Sequence, residues 1–380
     1  MEKNQDYCYA SALSFRKLNL IPRDFNIGPV SCLSDSERVP QAWEILPEGY
    51  VQFRLYYPNA KSVALQFLWN EPFTTPLERE GDLWIGKVEV GTGLIGLFVL
   101  VDGNEALSPA LPIGFSSNRL LNMIEVPETD AVIEPKDVPH GSVVMDHFYS
   151  RVTNRLERIY VYLPPDYQSS GKRYPVLYLQ HGHGENETAW VTQGRMNFIA
   201  DNLIAAGQAT ATIVVMCNGM TDFVEEEGVR LSFTEAFPHM LLEEVIPYIE
   251  GRYRTLTDAE HRAMAGLSMG SIQTSIITSN HPELFSHVGV FSGFVQDPLT
   301  GYAEHLTPEK LDRYRNASKL YFRAMGDQDP YLPCFQSDDE LLARYGIDGE
   351  RRIYPGGHEW KVWQHCFHDF YQLLFKEREV

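Results

Sequence analysis

From about residue 141 onward the chain alternates short apolar runs with segments of helical spacing, and no other feature restricts its fold as strongly. The runs read SVVMDHFYS, RIYVYLP, PVLYLQHG, TIVVMCNG, HRAMAGLS, HVGVFSG, LYFRAMGDQD and RRIYPGG. Between them lie MNFIADNLIAAG, FTEAFPHMLLEEVIPYIEGRY, GSIQTSIITSNHP, DDELLARYG and the terminal KVWQHCFHDFYQLLFKERE. Continuously apolar strands are buried on both faces, and strands joined through helices run parallel. The pattern implies an α/β domain with a mostly parallel sheet covered by helices on both sides.

The first third has a different grammar. YVQFRLYYP (50–58), SVALQFLW (62–69), LWIGKVEV (83–90) and LIGLFVLVDG (94–103) alternate or run apolar between turn residues. Short strands with regular turn signals point to a smaller β-sandwich. Residues 104–140 are rich in Pro, Asn and acidic side chains, and read as an edge strand or two plus a linker. The expected organisation is a β-sandwich with linker over 1–135 and an α/β domain over 136–380.

Charge narrows the function. The formal net charge is -19 at pH 7. Such a surface repels nucleic acid and anionic membranes. The five cysteines form no CxxC pair, and their long spacings suggest neither a zinc ribbon nor a disulfide framework. The amino terminus, MEKNQDYCYASALSF, has no basic start followed by an apolar stretch, and the longest apolar runs are too short for a bilayer. A cytoplasmic protein is the expectation. A homo-oligomer is possible, and the sequence does not give the oligomeric state.

At 266–270 the chain reads Gly266-Leu267-Ser268-Met269-Gly270, a G-x-S-x-G motif. At ordinary Gly and Ser frequencies it arises by chance in about one chain of this length in ten. Its setting makes it informative, because an apolar strand precedes it and a helical segment follows. That is the strand–turn–helix context of the α/β-hydrolase nucleophile elbow. A serine nucleophile needs a general base, and the base needs an orienting carboxylate, in the chain order Ser, Asp or Glu, His. His358 stands on a loop after a late strand, behind Gly356-Gly357, where it can reach over the sheet edge. His281 and His287 look structural or exposed, and His305 lies in a polar stretch, GYAEHLTPEK. His365 and His368 read as one face of the terminal helix, without a third ligand for a metal. The orienter should leave the strand LYFRAMG, where Asp327 and Asp329 compete and the residues alone do not choose. Oxyanion donors should be the amides of Met269, next after the serine, and of His183 in the loop HGHGEN, with Gly184 second. Trp190, Trp360 and Trp363 could wall a substrate pocket or pack the core, and Asn218 ends a strand on the same sheet edge. The acidic stretch 220–236 reads equally as a lid or a solvated loop. No metal or organic cofactor is expected.

Taken jointly, these pieces resemble the esterase D-like α/β-hydrolases, and within them the feruloyl and acetyl-xylan esterases of carbohydrate esterase family one. The resemblance runs over about 141–380. It rests on YVYLPPDY, YPVLYLQHGHGENETAW, VVMCNG, LLEEVIPYIEGRYR, HRAMAGLSMG, VGVFSG, GDQDPYL and GGHEWKVW. It implies Asp329 as the acid, three residues after Gly326, and an immunoglobulin-like sandwich ahead of the esterase domain. One departure stands out: the family loop HGxGG carries Glu185 in place of its last glycine. The implied activity is serine ester hydrolysis through an acyl-enzyme, acting on a feruloyl or acetyl group of a small or oligosaccharide substrate. The rivals are a siderophore trilactone esterase of the enterochelin type, an acyltransferase, and a glycan-binding protein with an inactive hydrolase domain.

Overall fold

The computed structural model describes residues 42–46, 50–68, 72–128, 132–220, 225–226, 229–230, 233–293 and 307–376. The chain divides into two units, Met1–Ala131 and Val132–Val380.

The first unit is antiparallel throughout its described strands. These are β1 (Trp43–Ile45), β2 (Tyr50–Tyr56), β3 (Val63–Phe67), β4 (Phe73–Pro76), β5 (Glu78–Glu80), β6 (Leu83–Glu89), β7 (Gly93–Val101), β8 (Asn104–Ala106), β9 (Ile113–Ser116) and β10 (Arg119–Val126). One sheet runs β1-β2-β6-β5 and the other β4-β3-β7-β10-β9, with β8 beside β7. Alternation drives the packing. Val51, Phe53 and Leu55 of β2 point the same way and meet Val63, Leu65 and Phe67 of β3 in one core. β10 departs from the edge position expected for this region, since it lies between β7 and β9 and is buried from Leu121 to Val126. Two polar residues disguise it. Asn122 is buried, but its side chain accepts from the Ser108 amide and donates to the Ser108, Leu111 and Pro112 carbonyls. Those bonds offset the cost of burying an amide.

The second unit is built on one eight-stranded sheet of order β11-β12-β14-β13-β17-β18-β19-β20. Its strands are β11 (Ser142–Ser150), β12 (Arg155–Leu163), β13 (Val176–Gln180), β14 (Ile213–Cys217), β17 (Arg262–Leu267), β18 (His287–Phe291), β19 (Leu320–Gly326) and β20 (Glu350–Tyr354). A two-residue pair, β15 (Glu225–Glu226) with β16 (Val229–Arg230), stands apart. β11 and β12 are antiparallel to their neighbours, and every pairing from β14 through β20 is parallel.

Both faces are covered, which is why the strands read as unbroken apolar runs. On one face Val288 and Val290 pack with Leu311 and Tyr314 of the helix Pro308–Ala317. On the other, Phe291 and Phe322 meet Phe370 of the terminal helix Trp360–Leu373. The helical segment read at FTEAFPHMLLEEVIPYIEGRY is continuous but widens to a π turn at Leu241–Val245, between Pro238 and Pro247. The helix Pro308–Ala317 fell in a stretch read as merely polar. Its start was nevertheless encoded by Pro308 in the first turn and by the Thr307 hydroxyl, which accepts from the Lys310 amide.

The order β14-β13-β17 is a switch point: one connection leaves β13 toward β14, and the next crosses back to β17. In open parallel sheets, ligands bind outside the carboxyl ends of strands at such a point.

Candidate active site

Ser268 sits directly beyond the carboxyl end of β17 and caps the helix Met269–Asn280. Its backbone holds φ 49° and ψ −118°, in a region L-residues rarely enter. The turn is this tight because two glycines let it close. A Cβ on Gly266 would stand 2.4 Å from the Gly270 carbonyl, and one on Gly270 would stand 2.6 Å from the His181 oxygen. Those contacts are with backbone, so neither neighbour can yield.

Two other strand ends deliver side chains to this serine. His358 lies between β20 and the terminal helix, and its Nε2 is 2.9 Å from Ser268 Oγ. Its Nδ1 is 2.8 Å from Oδ2 of Asp329, which follows β19. The Asp329 carboxylate is fully buried, and its other oxygen accepts from the Tyr331 amide at 3.0 Å. Asp327 is exposed and does something else: its Oδ1 accepts from the Gly356 amide at 2.9 Å and braces the loop that carries His358. Of the two competing aspartates, Asp329 bonds the imidazole. The rings of Tyr331 and Trp363 meet the His358 ring edge to face, at 5.4 and 5.1 Å.

The loop after β13 reaches the same point. Gly182 packs against Leu267 and Ser268. Its carbonyl takes the Nδ1 proton of buried His181 at 2.8 Å, and His181 Nε2 accepts from the Gly219 amide at 2.8 Å. Acceptance at Nε2 requires a neutral ring, and burial pushes the His181 pKa down to about 4. A trans peptide points its C=O and its following N–H in opposite directions. With the Gly182 carbonyl turned onto His181, the His183 N–H points away from that ring. The His183 side chain is exposed. Met269 is the first residue of its helix, where an amide has no acceptor within the helix.

Of the two roles open to Trp190 and Trp360, pocket wall or core packing, the structure shows the second. Trp190 and Trp360 are 1% and 2% exposed. Their rings pack edge to face at 5.3 Å, and their indole N–H groups are committed to the Gln180 carbonyl and to Glu185 Oε1. They support the donor loop from beneath, as core packing, because each large ring finds an apolar neighbour and an internal acceptor. Asn218 is half-buried after β14, with Oδ1 accepting from the Met220 amide. Within the 220–236 stretch, residues 221–224, 227–228 and 231–232 lie outside the described residues.

Sequence reading missed the part played by Glu185. It is buried, and its carboxylate accepts from Gly182 N, Gln193 Nε2 and Trp360 Nε1. Burial pushes its pKa up to about 7. The departure from the family glycine was visible; its three partners come from separate segments and were not. No group of three or more metal-ligating side chains occurs among the described residues. No helix among the described residues is long and apolar enough to cross a membrane.

This site and sheet have relatives. A family model described as "Putative esterase" matches residues 150–372, more than half the chain. An endo-1,4-beta-xylanase/feruloyl esterase of Xylanibacter ruminicola is 35% identical over 339 residues, covering 87% of this chain and 45% of its own length. The chain thus spans less than half of that relative. A solved ferulic acid esterase is 26% identical, with TM-score 0.54, over 62% of this chain and 98% of its own. The enterobactin esterase of Shigella flexneri shares the fold, with TM-score 0.63 and 15% identity, over 88% of this chain and 96% of its own. With an α/β-hydrolase sheet, an elbow serine bonded to a histidine that in turn bonds a buried aspartate, and that family match, the chain belongs to the esterase family.

Proposed function

We propose that this protein hydrolyses carboxylic esters through an acyl-enzyme on Ser268, and that its substrates are carbohydrates bearing feruloyl or acetyl groups. The observation that carries the reading is the continuous hydrogen-bond chain from Ser268 Oγ through His358 to buried Asp329. In this mechanism His358 Nε2 takes the serine proton as Oγ attacks the ester carbonyl. Asp329 fixes the imidazole tautomer and stabilises the imidazolium that forms. The amides of Met269 and His183 hold the oxyanion, where fixed donors act without reorganising. His358 returns the proton to the leaving alcohol. A water, deprotonated by the same nitrogen, then attacks the acyl carbonyl, and the acid leaves as His358 returns the proton to Ser268 Oγ. Every proton is carried by this chain's own groups.

The substrate class draws its support from the likeness to a xylanase/feruloyl esterase that extends over 87% of this chain. A panel of methyl ferulate, acetylated xylan, aryl acetates and a catecholate trilactone tests it. We expect turnover of methyl ferulate or acetylated xylan with kcat/KM at least about tenfold above that for the trilactone, a difference of about 1.4 kcal/mol in transition-state binding. Preference for the trilactone, or turnover of aryl acetates alone, would contradict the carbohydrate-ester reading.

A further inference from the structure

Glu185 joins segments that the mechanism needs in register. Its Oε2 accepts the Gly182 amide at 3.3 Å, inside the donor loop. Its Oε1 accepts Gln193 Nε2 at 3.1 Å, from the residue that follows the short helix Ala189–Thr192, and Trp360 Nε1 at 3.0 Å. Trp360 begins the helix that follows His358 by two residues. One buried carboxyl therefore spans the loop that supplies His183 N–H and the segment that carries the base. His181 holds the next peptide, Gly182–His183, by its carbonyl, which also accepts the Glu185 amide at 3.3 Å. The nitrogen and the carbonyl oxygen of Gly182 are thus both fixed, the first by the Glu185 carboxyl and the second by His181 and the Glu185 backbone.

We propose that Glu185 is a positioning residue for ester hydrolysis, holding the oxyanion donor loop in register with the His358 segment through its three accepted hydrogen bonds. The proposal rests on the roles given above to Ser268, His358 and His183. Only a carboxyl offers two acceptor oxygens in this geometry. Glutamine would place an NH2 group against one of three N–H donors, leaving a buried donor unpaired and pushing the segments apart. Aspartate is one methylene short of its partners. A glycine would leave all three donors without an acceptor. Oxyanion donors act only when they sit within hydrogen-bond range of where the charge develops, so a small shift of the Gly182–His183 peptide is read in kcat rather than in substrate binding.

The experiment compares the full-length parent with Glu185→Gln, Trp360→Phe and Ser268→Ala on an aryl acetate, with active sites counted by fluorophosphonate titration. For Glu185→Gln we expect kcat per titrated site to fall about ten- to hundredfold, with KM within about threefold of the parent. Trp360→Phe keeps an aromatic ring and removes the single donor from the far segment. It should show the same kcat-only loss, about five- to tenfold. If Glu185→Gln fails to fold, Trp360→Phe decides alone. Parent-like kcat per site in a folded Glu185→Gln or in Trp360→Phe overturns the clamp, as does a loss confined to KM. Near-normal turnover by Ser268→Ala would instead overturn the acyl-enzyme reading beneath it, which keeps the two failures distinct.

Discussion

Replacing Ser268 by alanine is expected to lower kcat by about three to six orders of magnitude while the protein stays folded. The serine is the only group in the site whose oxygen contacts the imidazole Nε2 in the structure's described residues. Without it the remaining donors can still bind and polarise an ester, and a residual rate above water should persist. A companion substitution separates chemistry from strain. Ser268 holds φ 49° and ψ −118°, which any Cβ-bearing residue occupies at a cost. Ser268→Gly should be as inactive as Ser268→Ala but more stable than it by about 1 kcal/mol, because glycine relieves that backbone strain. Steady-state kinetics with thermal unfolding reads both effects. An active alanine variant contradicts the nucleophile; an alanine variant as stable as the glycine variant contradicts the strain.

The second large effect discriminates two residues that are neighbours in sequence. Asp329→Asn is expected to lower kcat by about four orders of magnitude, because an amide nitrogen facing Nδ1 favours the wrong imidazole tautomer. Asp327→Asn should lower it by less than about tenfold. Its side chain accepts a single backbone N–H from Gly356 on the His358 loop, and an asparagine Oδ1 can accept the same bond. Measuring kcat for both variants across pH 6 to 9 checks the assignment. A larger loss at Asp327 would reverse it.

Much of this site was legible before any coordinates, for reasons that can be named. The elbow is a local device: strand, glycine, serine, glycine and helix are contiguous, so its geometry is written into five residues. His358 and Asp329 lie far from it in sequence, but each follows an apolar strand, and parallel strands bring their carboxyl ends to one edge. That made their convergence readable from the alternation of elements. What stayed hidden depends on side-chain direction. Trp190 and Trp360 sit beside the site in sequence terms, yet their rings turn inward, where Phe291, Phe367 and Glu185 receive them. Periodicity cannot distinguish a tryptophan above a loop from one beneath it. The β10 strand was hidden for the opposite reason. Asn122 and Glu125 made a buried strand look like an edge, and only the contacts of Asn122 show how the polar group is satisfied. The residues alone did not show which of Asp327 and Asp329 faces the ring; only the family likeness, which places the acid three residues after Gly326, favoured Asp329.

The central claim is that Ser268 attacks the ester carbonyl and carries the acyl group. The most direct measurement is peptide mass spectrometry of enzyme quenched with acid during turnover of a feruloyl ester, in parallel with the Ser268→Ala variant. The account predicts a feruloyl mass increment on the peptide that contains Gly266-Leu267-Ser268-Met269-Gly270, mapped to Ser268, and absent from the variant. A fluorophosphonate should label the same residue. Turnover with an increment on another residue, or with labelling undiminished in Ser268→Ala, would contradict it.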